Sequence, residues 1–169
     1  NGAGTDTITI EGVKELHNGK IEVIADRIEA GTYIMLGTLL GEDLTINGVN
    51  KAHLEAVIDK LIEAGADLKF NESSVLVNRV DTLKAVNITT QTHPGFPTDL
   101  GQPMSTLLTQ CVGTSRFEET IYENRMRHIP HLNKMGASIT LQGSKASIKG
   151  PTPLTGTTVI ATDLRAGAA

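Results

Sequence analysis

The chain holds a single cysteine, Cys111, no tryptophan, and only 3% aromatic residues. A lone thiol leaves no intrachain disulfide and suits a reducing compartment, so the cytoplasm is the expected location. With two tyrosines and three phenylalanines, no extended stacking platform for bases or sugars can be built, and a bound carbohydrate would be held mainly by polar groups. Long apolar runs are missing too. The longest, residues 34–40, is broken by Gly37 and Thr38 and falls far short of the roughly 20 residues that span a bilayer. No basic stretch opens the chain, which argues against a leader or an anchor. The 15 Lys and Arg residues are scattered among 19 Asp and Glu, giving a net charge of −4 and no footprint for nucleic acid. Neither a membrane nor a nucleic acid is expected as a partner.

What is present is an ordinary core-forming composition, 39% hydrophobic and 20% charged over 169 residues, for which one compact domain is the expectation. The first residue is Asn1, and a helix-like pattern stops at Ala168-Ala169, so the chain reads as an internal piece of something longer.

An internal repeat organises it. Asp26-Arg27-Ile28-Glu29-Ala30-Gly31-Thr32 opens a helical pattern. A strand, a helix around 54–62, a stop at Gly65 and an alternating strand at Val75-Leu76-Val77 follow. Thr98-Asp99-Leu100 starts the series again, through a strand near Phe117, a helix around 129–133, a stop at Gly136 and a strand at Ala146-Ser147-Ile148. A third copy begins at Thr162-Asp163-Leu164-Arg165-Ala166-Gly167. Each copy reads as strand, helix, strand, helix, strand, strand, a βαβαββ unit. The boundaries are 21–83, 84–155 and a truncated 156–169. Residues 1–20 are set apart as the end of a preceding domain plus a crossover, with a strand-like alternation from Thr5 to Gly12 and a turn at His17-Asn18-Gly19-Lys20.

In every copy an Asp falls where a strand ends and a helix begins. Free N–H groups there suit a carboxylate. Asp26 with Glu29, and Asp99 with Gln102, both match a capping box, so capping and a site are both open readings. Asp99 has added context: it follows the rigid loop His93-Pro94-Gly95-Phe96-Pro97 and precedes Gly101 and Pro103, which delay the helix and leave the carboxylate projecting. Arg125, in the polar cluster from Glu123 to His128, could clamp a phosphate or carboxylate, or simply be a solvated surface arginine. Arg165 beside Asp163 could do the same or form a surface ion pair. His128 and His131 are three apart but no Cys or carboxylate completes a metal-ligand set, so no metal is expected. Cys111 reads as a small core residue, and Gly2-Ala3-Gly4-Thr5 lacks the lysine of a phosphate loop.

Five ordered segments carry a family resemblance. They are Ala25-Asp26-Arg27-Ile28-Glu29-Ala30-Gly31-Thr32, His93-Pro94-Gly95-Phe96-Pro97-Thr98-Asp99, Glu119-Thr120-Ile121-Tyr122-Glu123-Asn124-Arg125, Lys134-Met135-Gly136-Ala137 and Ala161-Thr162-Asp163-Leu164-Arg165-Ala166. Together they resemble the UDP-N-acetylglucosamine enolpyruvyl transferases, and less closely the sister enzymes that act on shikimate phosphate. The resemblance implies an α/β (α+β) inside-out barrel of repeated βαβαββ units, with this chain supplying two full units and the start of a third. It implies a two-domain enzyme that closes over its substrates. The N-terminal Lys-Asn stretch, the loop with the reactive cysteine and the late phosphoenolpyruvate-gripping arginine would lie in the remainder of that enzyme.

The implied reaction moves the enolpyruvyl group of phosphoenolpyruvate to the 3′-hydroxyl of UDP-N-acetylglucosamine, the committed step of peptidoglycan synthesis, with no cofactor. Asp99 matches the family's aspartate proposed as base and sugar ligand, with Thr98 beside it. Ile121 matches a position whose backbone meets the UDP-sugar, Arg125 an active-site arginine, and Asp26, Asp163 and Arg165 charged groups lining the cleft. Leu100-Gly101-Gln102-Pro103 departs from the commoner residues, and Pro103, lacking an N–H, is expected to alter the first helical turn. Cys111 does not align with the reactive cysteine. Two alternatives remain at this stage: a non-enzymatic sugar-nucleotide-binding or interaction module, and transfer to shikimate 3-phosphate.

Overall fold

The first helix begins where Asp26, held in an extended conformation, accepts the amide protons of Ile28 (2.8 Å) and Glu29 (3.1 Å). These are two of the four N–H groups a helix start leaves without a partner. Helix α1 (Arg27–Leu40) follows, and β1 (Leu44–Asn47), α2 (Glu55–Ala64), β2 (Asp67–Phe70) and β3 (Ser74–Asn78) complete the first half of this computed structural model, which describes residues 1–161 and 164–168. The strands pair antiparallel in the order β1-β3-β2. Strand β3 alternates as its sequence predicts, with Val75 and Val77 buried.

The second half contains β4 (Leu83–Lys84), β5 (Ile88–Thr89), a 3-10 turn at Thr98–Leu100, α3 (Gly101–Leu108) and β6 (Cys111–Glu118). A further 3-10 turn at Arg125–His128 leads into α4 (Ile129–Lys134), β7 (Ser138–Gln142) and β8 (Lys145–Gly150). The sheet runs β4-β6-β8-β7, with β5 also on β6. Strands β4 and β5 lie parallel to β6, and the other pairs are antiparallel.

Helix, strand, helix, strand, strand therefore recurs, and so does the sheet order: β6-β8-β7 stands to the second half as β1-β3-β2 does to the first. The recurrence reaches the helix ends. At Gly65 (φ 101°) the Gly N–H meets the Ile62 carbonyl and Ala66 N–H the Leu61 carbonyl; at Gly136 (φ 107°) the Asn133 and Leu132 carbonyls take the same two roles. Both are helix stops built on a left-handed residue that only glycine adopts without strain. The third copy expected at 156–169 falls partly on Thr162, Asp163 and Ala169, which lie outside the described residues.

Two expected strands are not formed. Residues 21–26, the leading strand of the first unit, and the alternating stretch Thr5–Gly12 belong to no ladder, and Ile8, Ile10, Ile21 and Val23 are exposed. Alternation marks a strand only when a partner supplies the ladder. In the second unit β6 supplies it for β4 and β5, whereas among the described residues nothing pairs with 1–26 beyond the turn that brings Thr9 N–H to the Asn1 carbonyl.

Helices α1 and α3 lie inside. Helix α1 packs on β1 and β3, α3 on β6 and β8, and the two helices touch each other between the sheets. Gly31 permits that approach, since a Cβ there would sit 2.5 Å from Leu100 Cδ1. Helix α3 is buried along most of its length, including Met104, Leu107 and Leu108, and Leu100 just ahead of it is buried too. This contact sets the start of α1 beside the turn that carries Asp99. Among the described residues no helix is long and apolar enough to cross a membrane.

Candidate functional site

The loop after β5 is fixed before it reaches Asp99. Gln91 N–H donates to the Phe96 carbonyl, Gly95 N–H to the Thr92 carbonyl, and the buried Phe96 ring stands edge-on to Phe117 at 6.3 Å. Thr98–Leu100 then turns as a 3-10 segment and α3 starts at Gly101. Pro103 falls in the first turn, where its missing N–H removes no intrahelical bond, and the helix follows directly on the 3-10 turn.

That turn decides what Asp99 does. The capping-box reading with Gln102 does not hold: Asp99 caps nothing, and Gln102 is fully buried with neither amide atom hydrogen-bonded. Instead Arg125 Nη2 donates to Asp99 Oδ1 at 2.6 Å and Arg165 Nη2 to Asp99 Oδ2 at 3.0 Å. Two charge-assisted bonds from guanidinium groups outweigh what a neutral amide at a helix start offers. Arg125 is only 15% exposed, and its guanidinium also lies 4.6 Å from the Tyr122 ring, while its Nε donates to Thr98 Oγ1 at 3.2 Å. The surface-arginine reading of Arg125 therefore gives way to a clamped one.

Behind this layer sits Glu119, 4% exposed, whose carboxylate accepts four bonds. Oε1 takes the Thr90 hydroxyl (2.9 Å) and the N–H groups of Ile121 (2.7 Å) and Tyr122 (3.0 Å); Oε2 takes the Thr98 hydroxyl (2.7 Å). Thr120 closes the junction by donating its N–H to Thr90 Oγ1 and its hydroxyl to the Thr90 carbonyl. Ile121 is exposed and its N–H is committed to Glu119.

Asp26 remains a cap. The Glu29 and Ile28 N–H groups hold its carboxyl below the ordinary value of 3.8, with a smaller pull from Arg165 and Arg27. Arg165 thus bonds Asp99 and also acts on Asp26, so two helix entrances and the segment at 164–168 face one region. Asp163, the third acid of the pattern, lies outside the described residues. Asp99 borders two hollows, one of about 350 Å³ shared with Arg125, Tyr122 and Arg165, the other of about 130 Å³ shared with Arg27, His93, Thr98 and Ile121.

Chemically this is a carboxylate gripped by two cations at a cleft edge, suited to orienting a hydroxyl next to an anion. No group of three or more His, Cys, Asp or Glu able to hold a metal gathers among the described residues. His128 is buried in the turn ahead of α4, and Cys111 is buried with its thiol pushed by desolvation up to about 11, unsuited to nucleophilic work. Thr90 and Glu119 were missed as site-forming residues. In the sequence Glu119 is only the first residue of the segment Glu119–Arg125, one position past the end of β6, and Thr90 lies 29 residues away from it, beyond any local pattern.

The sequence profile of the EPSP synthase (3-phosphoshikimate 1-carboxyvinyltransferase) family matches residues 1–169. A UDP-N-acetylglucosamine 1-carboxyvinyltransferase 2 of Streptococcus mutans is 49% identical over 168 residues, covering 99% of this chain and 40% of its own length. The UDP-N-acetylglucosamine 1-carboxyvinyltransferase of Clostridium botulinum is 52% identical with the same coverage. The chain thus spans 40% of the length of these curated relatives. Among solved structures, the enolpyruvyl transferase NikO of Streptomyces tendae superposes with a TM-score of 0.81 at 26% identity, over 88% of this chain and 36% of that one. An EPSP synthase of Acinetobacter baumannii shares the fold, with a TM-score of 0.65 at 17% identity over 89% of this chain and 37% of its own.

Proposed function

Because the chain belongs to the EPSP synthase (3-phosphoshikimate 1-carboxyvinyltransferase) family, we propose that it forms one wall of an active site that transfers the enolpyruvyl group of phosphoenolpyruvate to the 3′-hydroxyl of UDP-N-acetylglucosamine. The observation that carries this reading is the Asp99 carboxylate, bonded on one oxygen by Arg125 and on the other by Arg165. Similarity to the Streptococcus and Clostridium transferases supplies the choice of sugar nucleotide.

In this reading the sugar hydroxyl adds to C2 of phosphoenolpyruvate while C3 gains a proton, giving a tetrahedral intermediate. Loss of the proton from C3 and of phosphate from C2 then leaves the vinyl ether. Asp99 keeps lone pairs beyond those used by the arginines and accepts the hydroxyl proton. Thr98 and the Ile121 carbonyl hold the sugar nucleotide. Arg125 and Arg165 place positive charge where phosphate and carboxylate charge collects. Asp26 supplies an acidic group along the same cleft, a part that the family resemblance also gives to Asp163.

The remainder of a two-domain cytoplasmic enzyme, with residues 1–20 as the crossover to it, supplies the opposing cations, so the isolated chain does not turn over. The test is phosphate release, with mass detection of the enolpyruvyl sugar nucleotide, by the intact protein carrying these residues. Turnover with UDP-N-acetylglucosamine supports the reading. Turnover with shikimate 3-phosphate alone, or binding without turnover, rejects it. Robust phosphate release by residues 1–169 alone would overturn the half-site assignment.

A further inference from the structure

We propose that Glu119 is a positioning residue for the transferase site, acting by fixing the polarity of the Thr98 hydroxyl and through it the angle of the Arg125 guanidinium. The proposal rests on the transferase reading above.

All four partners of the Glu119 carboxylate donate to it. A carboxylate only accepts, so the hydrogens of the Thr90 and Thr98 hydroxyls must point at it. Each oxygen then turns its lone pairs outward. Thr90 Oγ1 uses one for Thr120 N–H at 2.8 Å, and Thr98 Oγ1 uses one for Arg125 Nε–H at 3.2 Å. Arg125 is in this way held at two points of its planar fork, Nε by Thr98 and Nη2 by Asp99, and a guanidinium fixed at two points cannot swing in its own plane. The same carboxylate takes the Ile121 and Tyr122 N–H groups, so it also sets the backbone on which the Tyr122 ring faces Arg125. One buried acid, absent from the lining of both hollows that Asp99 borders although it lines a wider one beside Tyr122 and Arg125, thereby orients a cation at the Asp99 cleft.

The isosteric change Glu119→Gln separates this role from simple structure. Its carbonyl oxygen can still accept the two backbone N–H groups, so the loop is retained. Its amide nitrogen then faces Thr98, so that hydroxyl accepts from it, and the hydroxyl hydrogen, no longer pinned on a carboxylate, stops fixing a lone pair on Arg125 Nε–H. In the intact protein, exchange of the Arg125 Nε–H with solvent, followed by NMR and assigned with Arg125→Lys, is expected to be slow in the parent and at least tenfold faster in Glu119→Gln. The kcat/KM for phosphoenolpyruvate is expected to fall at least tenfold in the parent background and less than twofold in the Arg125→Lys background, because the lysine has no second edge to lose. Unchanged exchange overturns the proposal whether or not the protein is a transferase. Faster exchange with unchanged kcat/KM, or equal losses in both backgrounds, overturns the functional role. Should Glu119→Gln unfold, Thr98→Val and Thr98→Ser decide: the valine is expected to reproduce the fast exchange and the serine to restore slow exchange, and a valine that exchanges like the parent refutes the idea. Absence of transfer by the parent would reject the transferase reading while leaving the exchange result to judge the positioning claim.

Discussion

The two helix entrances at Asp26 and Asp99 share a sequence pattern and differ in what their carboxylates do. Asp26 meets α1 in an extended conformation and spends its charge on two helix N–H groups. Asp99 sits inside a 3-10 turn, one residue too early and turned away, and spends its charge on Arg125 and Arg165. The difference teaches that an acid at a helix start becomes a site residue when the turn before the helix removes it from the capping position and cations from distant segments wait on the other side.

The largest expected effect tests the Asp99 end. In the intact protein, Asp99→Asn keeps the side-chain volume and removes the base, and should lower kcat by about 10²–10⁴, the usual scale of general-base catalysis. A drop below tenfold in steady-state rate would mean the two entrances are chemically alike.

Next comes Arg125→Lys, which keeps the charge and loses the fork. The bond to Asp99 at 2.6 Å and the bond to Thr98 cannot both be made by an ammonium held at one point. A fall of about a hundredfold in kcat/KM is expected, on the scale of losing one preorganised donor.

The Asp26 end should respond in stability. Asp26→Ala is expected to cost about 1 kcal/mol in denaturant titrations, whereas Asp26→Asn, an equally good cap, should cost less than about 0.5 kcal/mol. The pH dependence follows from the lowered pKa. The carboxylate's contribution is present above the ordinary value of 3.8 and is lost as the pH falls through the lower folded value, so wild type and Asp26→Ala should converge in stability in acid below 3.8. A gap that persists there, or turnover in Asp26→Asn as low as in Asp99→Asn, would erase the contrast between the entrances.

The smallest effect is expected at the far end of α3, where Cys111 begins β6. With its thiol raised to about 11, only about one molecule in a thousand carries the thiolate at pH 8. Alkylation of the folded protein should be slow, and Cys111→Ser should leave turnover intact. Rapid labelling at pH 8 would show that this end is not the dry counterpart of the Asp99 end.

Much of the fold was legible from local chemistry. Gly65 and Gly136 announced two helix stops, Val75 and Val77 announced a half-buried strand, and the Pro and Gly residues around Phe96 announced a fixed loop. Those signals depend on backbone preferences and on side-chain alternation, which act over a few residues. The alternation at Thr5–Gly12 misled because a strand also needs a neighbour, and no local pattern reports one. At the site, Asp99 and Arg125 could be named from the sequence, but their bond joins positions 26 residues apart, and Arg165 reaches Asp99 across 66.

By itself the sequence determined where helices start and stop, that the first helix of each copy is preceded by an acid, and that a repeat exists, because propensity, capping and turn chemistry are written into neighbouring residues. Only the tertiary structure decided that one acid caps while the other is clamped, and that Glu119 lies behind the clamp. Hydrogen-bond partners separated by 21 to 30 residues are selected by how α1, α3 and β6 pack, and that selection is a property of the assembled core.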